Sequence, residues 1–254
     1  MTLNEAIQVM TDEIVSVLAD NKPTVYLYGS VALDDFQIGW SDIDILVLTE
    51  REISEQQAKR LAGLRQDLSE RYPENPYFLL FEGGMLSAEA FMNGKNGRAV
   101  YWGSSGQRIT DHYQIDSFGM AELLDSGILL YGNDIRKSLA YPTYAQMRDD
   151  IARHVRAART YGLVVGWLLD ISRGIHTLRT GKIISKTAAG EWALENNLCP
   201  NAEALRKALQ IRKEPLKYAK EEKSIENSVI KRFSDVVEDE LLLAVEKLTE
   251  EGTV

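Results

Sequence analysis

Two aspartates separated by a single residue, Asp42 and Asp44, are the side chains in this sequence best placed to do chemistry together. If they lie at the start of a strand, side chains two positions apart project from the same face. Two adjacent carboxylates repel each other unless a cation neutralises them, and Mg²⁺ prefers hard oxygen ligands completed by phosphate oxygens and water. The pair therefore predicts a magnesium site that handles a phosphorylated ligand.

A glycine and a serine, Gly29 and Ser30, precede this pair and are separated from Asp42 by eleven residues. Glycine lets the backbone approach a ligand closely, and serine adds a hydroxyl donor. If Val31 opens a helix, its free N–H groups face a phosphate tail. Alone, a Gly-Ser after a strand is often an ordinary turn, and an Asp-x-Asp at a strand start is often a solvated edge. Strand, Gly-Ser, spacer and Asp-x-Asp in this order favour a functional site.

The composition narrows the class of protein. The chain has 254 residues, 44% hydrophobic and 26% charged, which is typical of a folded globular protein. A formal net charge of −9 argues against a nucleic-acid polymer as partner. The charge suits a small cationic molecule, although solubility alone also favours it. The sequence shows no signal peptide or membrane span, and the single Cys199 allows no internal disulfide, so we expect a cytoplasmic protein.

Hydrophobic periodicity divides the chain into an α/β domain at 1–141 and an all-α helical-bundle domain at 142–254. Capping sequences at Thr2 and Ser54 predict helices in the first domain. Short apolar runs predict the strands of a mixed sheet at 24–28, 43–49, 77–81, 99–102 and 128–131. Beyond Pro142 we expect a helix with a face of Met147, Ile151, Val155 and Ala158, an apolar helix to Ile171, helices at 185–196 and 201–212, and a last one from about Ser224.

The first motif resembles the signature of the polymerase-β-like nucleotidyltransferase superfamily, which is Gly-Ser, a spacer of about a dozen residues and Asp-x-Asp. A second segment, 173–193, resembles the C-terminal helical domain of the streptomycin and spectinomycin adenylyltransferases. It begins with Arg173, continues through Thr-Gly-Lys-Ile and Lys186, and ends in Ala-x-x-Trp-Ala. The two resemblances occur in the order that these aminoglycoside adenylyltransferases have. They imply a nucleotidyltransferase domain followed by the helical domain over nearly the whole chain.

The resemblance also implies roles for individual residues. Asp42 and Asp44 would hold magnesium, and Gly29 and Ser30 would cradle the triphosphate of ATP. Arg173 and Lys186 would reach the phosphates from the helical domain. Lys186 follows Ser185 at a predicted helix start, where backbone N–H groups already favour anions. Without the resemblance, both cations would be read as ordinary solvated side chains.

A carboxylate on the third strand serves as general base in the family, and Glu82 occupies that position. It directly follows the predicted strand 77–81 and precedes two glycines, so it can point into a cleft. The alternative is a glutamate at the surface end of a strand, with Glu89 as the fallback base. Tyr101 and its neighbours either line an acceptor pocket or are structural aromatics.

These observations predict an enzyme that transfers AMP from ATP to a hydroxyl of a small cationic substrate, such as an aminoglycoside or aminocyclitol antibiotic, and releases pyrophosphate. Two alternatives stay open: a nucleotidyltransferase that modifies a protein partner in a regulatory pair, and a catalytically dead nucleotide-binding module. The chain departs from the antibiotic-modifying pattern at Thr187, where the family often has an aspartate, and at Leu209, which cannot stack on adenine. The tract 161–170 also lacks the acids expected to bind ammonium groups.

Overall fold

A computed structural model describes residues 1–104, 106–161, 164–219 and 227–250. The chain forms two compact units. Unit 1 comprises Met1–Asp34 and Ser41–Tyr141, and unit 2 comprises Asp35–Trp40 and Pro142–Val254. The domain ranges 1–141 and 142–254 stay predictions, and the short segment Asp35–Trp40 packs with unit 2 although it lies inside the first range.

Unit 1 is built on one mixed sheet of six strands in the order β5-β4-β3-β2-β1-β6. Only β2 and β3 pair in parallel, and the other neighbours are antiparallel. The strands are β1 (Thr24–Tyr28), β2 (Ile43–Thr49), β3 (Phe81–Ser87), β4 (Ala99–Gly103), β5 (Gly106–Thr110) and β6 (Ile128–Tyr131). The predicted α/β architecture with a mixed sheet is confirmed, and β1, β2 and β6 have the predicted bounds.

Among the described residues, five α-helices accompany the sheet, and two of them begin at the predicted caps. They are α1 (Leu3–Val17), α2 (Gly29–Ala32), α3 (Glu55–Arg71), α4 (Ala88–Asn93) and α5 (Ser117–Ser126). The Thr2 backbone N–H donates to Glu5 at 2.7 Å, and the Thr2 hydroxyl accepts from the Glu5 N–H at 3.3 Å. Ser54 and Gln57 form the same capping box on α3. Each box satisfies backbone N–H groups that a helix start leaves unpaired.

The strand predicted at 77–81 is wrong. Residues Phe78–Leu80 form a short 3₁₀ helix, and β3 starts only at Phe81. The two glycines after Glu82 suggested a strand end, but they belong to the strand. Gly83 has φ +140°, and a Cβ there would lie 1.8 Å from the carbonyl oxygen of Ile45 on β2. Glycine therefore permits close pairing of β3 with β2, and Glu82 lies near the start of a strand.

Unit 2 is helical over its described residues, apart from the segment Asp35–Trp40 and the connections. Its helices are α6 (Tyr144–Tyr161), α7 (Gly166–Thr180), α8 (Lys186–Glu195), α9 (Ala202–Lys213) and α10 (Asn227–Glu250). The prediction of a helical C-terminal region is confirmed. The predicted face of α6 is buried. The predicted start near Ser224 lies outside the described residues.

The apolar helix predicted to end at Ile171 is longer than expected, because α7 continues to Thr180. Gly181 ends it with φ +68°, and its N–H donates to the carbonyl oxygen of Thr177 at 2.8 Å. This is the usual left-handed C-terminal cap. Arg173 is therefore a residue of α7. None of the helices in the described residues has the length and apolar composition needed to cross a bilayer.

A buried ion pair ties the segment Asp35–Trp40 to the helices of unit 2. Arg212 on α9 is 2% exposed and pairs with the carboxylate of Asp35. Its guanidinium also donates to the backbone oxygen of Asp35 at 3.0 Å and to the hydroxyl of Thr187 at 3.0 Å. The backbone N–H of Thr187 donates to Asp35 as well, at 3.3 Å. The charges are thus compensated by several hydrogen bonds, as buried pairs require.

Replacing Arg212 by alanine should strongly destabilise the protein, because the Asp35 carboxylate stays buried without its partner. Breaking a buried pair in this way typically costs about 3–5 kcal/mol. Urea unfolding followed by circular dichroism measures the effect. Lys213→Ala is the matched control: Lys213 pairs with Glu191 at the surface, and such pairs contribute about 0–1 kcal/mol. Equal effects of the two variants would contradict a stabilising role of the Arg212 pair.

Candidate active site

The parallel pairing of β2 with β3 brings two acidic residues side by side. Asp44 lies opposite Glu82 on β3 and opposite Tyr28 on β1. Residues opposite each other on neighbouring strands share a face of the sheet, with strands about 4.8 Å apart. Both carboxylates are half-buried, while Asp42, just before β2, is exposed. The structure thus groups three of the acids that the sequence singled out.

The Gly29-Ser30 turn lies directly against these acids. Gly29 has φ +66°, and a Cβ there would lie 2.1 Å from Oδ2 of Asp44. Glycine is required both for the backbone angle and for the space. The Ser30 hydroxyl donates to the backbone oxygen of Asp42 at 3.3 Å. The short helix α2 begins at Gly29 rather than at Val31. The predicted residues Gly29, Ser30, Asp42, Asp44 and Glu82 therefore form one cluster.

The crowded carboxylates perturb each other. Burial raises the pKa of Glu82 above its usual range, and the charge of Asp42 raises it further. A hydrogen bond between the Glu82 and Asp42 carboxyls acts in the same direction, because two carboxyls can bond only by sharing a proton. The hydroxyl of Tyr101 and the charge of Arg65 oppose these effects. The cluster therefore favours a bound proton or cation.

Two residues lie close to Glu82 or its backbone: Arg65, which the sequence did not indicate as a site residue, and Tyr101, for which an acceptor-pocket role and a structural role were both open. Arg65 on α3 is 5% exposed, and its guanidinium donates to the carbonyl oxygens of Phe81 and Gly103. Tyr101 on β4 donates to Oε1 of Glu82 at 3.1 Å. A signal for Arg65 existed, since it follows Leu61 by four residues and occupies a core-facing position of α3.

The fallback base Glu89 lies in a different environment. It is on α4, its side chain is 72% exposed, and it pairs with Lys95 at 3.1 Å. The geometry favours Glu82 over Glu89 as the base, and this assignment stays a prediction.

The two predicted phosphate-binding cations, Arg173 and Lys186, lie together in unit 2 around a third residue. Asp170 on α7 pairs with Lys186 at 2.9 Å and with Arg173 at 3.7 Å. Burial raises the pKa of Asp170, but the two cations lower it more, and the result is a pKa below the usual range. Lys186 is the first residue of α8, whose cap Ser185 accepts from the Ala188 N–H at 3.2 Å. The cations are therefore held by a carboxylate that the sequence analysis did not single out.

The acids of unit 1 have the chemistry that magnesium needs. Mg²⁺ is usually held by one or two carboxylates together with substrate phosphates and water. Asp42 and Asp44 supply such a pair. Burial raises the pKa of the neighbouring Glu82, and the charge of Asp42 raises it further. Among the described residues, no group of three or more His, Cys, Asp or Glu could hold a metal ion by itself. A magnesium ion held by Asp42 and Asp44 would be completed by phosphate oxygens and water.

Comparison with protein families gives two matches that lie in the predicted order. Residues 12–82 match the nucleotidyltransferase domain, a range that contains Gly29, Asp42, Asp44 and Glu82. Residues 134–240 match the C-terminal domain of aminoglycoside adenylyltransferase, which contains Arg173 and Lys186. A search of curated proteins found no match.

Ten chains of solved structures match this one, among them the following two. One is the crystal structure of spectinomycin adenyltransferase AAD(9) from Enterococcus faecialis with ATP and spectinomycin, which has 18% identity and a TM-score of 0.63. The match covers 93% of this chain and 100% of that chain, and it shows a shared fold. The other, a toxin–antitoxin with AMP-PNP, has 18% identity, covers 59% of this chain and 91% of that chain, and reaches a TM-score of only 0.28. The two family matches confirm the resemblance drawn from the sequence and identify the protein as a nucleotidyltransferase of the aminoglycoside adenylyltransferase type.

Proposed function

We propose that the protein transfers AMP from ATP to a hydroxyl group of a small cationic acceptor of the aminoglycoside or aminocyclitol class. The observation that carries this proposal is the cluster of Asp42, Asp44 and Glu82 against the Gly29-Ser30 turn. It combines a place for triphosphate and magnesium with a carboxylate that can take a proton. The match to the adenylyltransferase C-terminal domain supports the acceptor class.

In the proposed reaction, the acceptor oxygen attacks the α-phosphorus of ATP. A new oxygen–phosphorus bond forms, the bond from the α-phosphorus to the bridging oxygen breaks, and pyrophosphate leaves. Glu82 accepts the proton of the acceptor hydroxyl. The register of β2 with β3 keeps Glu82 close to Asp44. Magnesium bound by Asp42 and Asp44 would neutralise charge on the phosphates.

The other residues bind and orient. Gly29 leaves room for the Asp44 carboxylate, because it carries no side chain, and the Ser30 hydroxyl ties this segment to the backbone of Asp42. Arg173 and Lys186 provide positive charge for the triphosphate, where charged hydrogen bonds to phosphate are among the stronger ones. Asp170 keeps these two cations in place before the nucleotide binds.

Asp44→Asn should abolish transfer while the fold stays intact, because the carboxylate is needed for charge and not for packing. The assay is pyrophosphate release with ATP and magnesium, screened with spectinomycin and streptomycin and then with protein from a cell lysate. Asp34→Asn is the control: Asp34 is exposed with φ +53°, a backbone angle that asparagine tolerates. Substantial turnover by Asp44→Asn at saturating magnesium would refute the metal assignment, and labelling of lysate protein alone would favour a protein acceptor.

Lys186→Ala and Arg173→Ala should each weaken ATP binding, because a charged hydrogen bond contributes about 1.5–3 kcal/mol. This corresponds to roughly a 10- to 150-fold higher Kd by isothermal titration calorimetry. Lys213→Ala removes a lysine of unit 2 that pairs with Glu191 at the surface, and it should leave the Kd unchanged. Unchanged ATP affinity in both test variants would exclude these cations from the nucleotide site.

Glu82→Gln should keep ATP affinity and lose turnover by about 10²–10⁴-fold, the usual contribution of a general base. Glutamine has the same shape but accepts no proton at neutral pH. The measurements are kcat for pyrophosphate release and the Kd for ATP. Glu89→Gln is the matched control and should behave as wild type, since Glu89 is exposed and paired with Lys95. A normal Glu82→Gln enzyme together with an inactive Glu89→Gln enzyme would reverse the assignment.

A further inference from the structure

The side chain of Tyr101 lies across a position of β4 that has no side chain. Tyr101 and Gly103 are two residues apart on this strand and share one face of the sheet. A Cβ built at Gly103 would lie 2.0 Å from the hydroxyl oxygen of Tyr101 and 2.3 Å from its ring carbon Cζ. Because real Cβ atoms make no contacts this short, the phenol can occupy this place only if residue 103 is glycine.

From this place the Tyr101 hydroxyl reaches Glu82. β4 pairs antiparallel with β3, with Tyr101 opposite Gly84 and Trp102 opposite Gly83. Glu82 and Gly103 are the next residues beyond the last of these pairs on their two strands. The ring of Tyr101 is therefore tilted along β4, and its hydroxyl donates to Oε1 of Glu82 at 3.1 Å. A side chain pointing straight out from residue 101 would face Gly84 instead.

The ring of Tyr101 is held on other sides as well. The guanidinium carbon of Arg108 lies 4.3 Å from the ring centroid, a favourable cation–π distance. The ring of Tyr113 lies 6.1 Å away and tilted by 33°. Tyr113 in turn lies over Gly84, where a Cβ would come within 2.3 Å of its ring. Glycines in β3 and β4 thus give two tyrosine rings space on the same face as Glu82.

The backbone under this contact is fixed by Arg65. Its guanidinium donates to the carbonyl oxygen of Phe81, the residue before Glu82, and to that of Gly103. It also donates to the side chain of Gln107 at 2.7 Å. One buried side chain, Arg65, therefore connects the backbone of Phe81, next to Glu82, with the backbone of Gly103, next to the ring of Tyr101.

We propose that Tyr101 is a positioning residue for the transfer reaction, which holds the Glu82 carboxylate in one orientation, and that Gly103 is the position that makes this contact possible. Because the hydrogen bond engages Oε1, it also fixes where Oε2 points. The inference rests on the proposed function in so far as Glu82 takes the acceptor proton. It assigns to Tyr101 a role in kcat and none in ATP binding.

Two variants test the proposal by opposite means. Tyr101→Phe removes the hydroxyl, and Gly103→Ala keeps the hydroxyl but displaces the ring. Both should lower kcat with ATP, magnesium and spectinomycin or streptomycin by roughly 10- to 100-fold, because small misplacements of a catalytic group have effects of this order. The KM for ATP should stay within about twofold of wild type, since the lost contact does not serve nucleotide binding.

A double-mutant cycle separates positioning from a general structural defect. In the Glu82→Gln background, adding Tyr101→Phe should cause no further loss of kcat, because the group that it positions is already disabled. Two controls should keep the wild-type kcat. Tyr141→Phe removes a hydroxyl that donates to Asp125 at 2.8 Å, and Gly63→Ala adds a methyl group whose nearest contact is at 3.7 Å.

A wild-type kcat in Gly103→Ala, or a full additional loss when Tyr101→Phe is added to Glu82→Gln, would overturn the proposal. If the wild-type protein transfers AMP to neither antibiotic, the proposed acceptor class fails and crystal structures of the wild type and both variants decide the positioning role. A Glu82 carboxylate that changes orientation in both variants supports it. A Glu82 carboxylate that stays in place in either variant overturns it.

Discussion

The parallel pairing of β2 with β3 is the constraint on which the site in unit 1 depends. Its register sets Asp44 opposite Glu82, at a strand separation of about 4.8 Å. Asp42, at the start of the same strand, adds a third carboxylate, and like charges this close favour a bound cation or proton. The crowding therefore disfavours the free, fully ionised site and favours the site with its ligands bound.

The fold compensates this crowding with the charge of Arg65 and with a hydrogen-bond donor, Tyr101, which come from two other elements. Arg65 comes from α3 beneath the sheet, and burial lowers the pKa of its guanidinium while Glu82 and Asp42 raise it. A buried cation is costly unless its donors are used, and the planar guanidinium of Arg65 donates to Phe81, Gly103 and Gln107 at once. Tyr101 adds a neutral donor from β4, and burial and Glu82 raise the pKa of its hydroxyl above the usual range. Support for the carboxylates thus comes from one charged and one neutral group.

The sequence predicted features that depend on local pattern and missed those that depend on distant contacts. The caps at Thr2 and Ser54 and the bounds of β1, β2 and β6 follow from neighbouring residues, and the structure confirms them. The predicted start of β3 was wrong. Gly83 is needed because the backbone of β2 lies too close for a side chain, and no local sequence pattern reveals this contact. The roles of Arg65 and Asp170 depend on partners far along the chain or on another helix. The spacing of residues along the chain indicates only that Arg65 and Asp170 are charged residues among apolar ones.

Asp170 has a consequence for how the acceptor is recognised. It is the one acid in the tract 161–170, where carboxylates that bind an ammonium group were expected. Its carboxylate is already engaged by Lys186 at 2.9 Å and by Arg173 at 3.7 Å. A carboxylate between two cations has little negative potential left for a third, because the neighbouring charges compensate it. Under the proposed function, recognition of a cationic acceptor would therefore depend on other acidic residues, and Asp170 balances the charge of Arg173 and Lys186, the two proposed phosphate-binding cations.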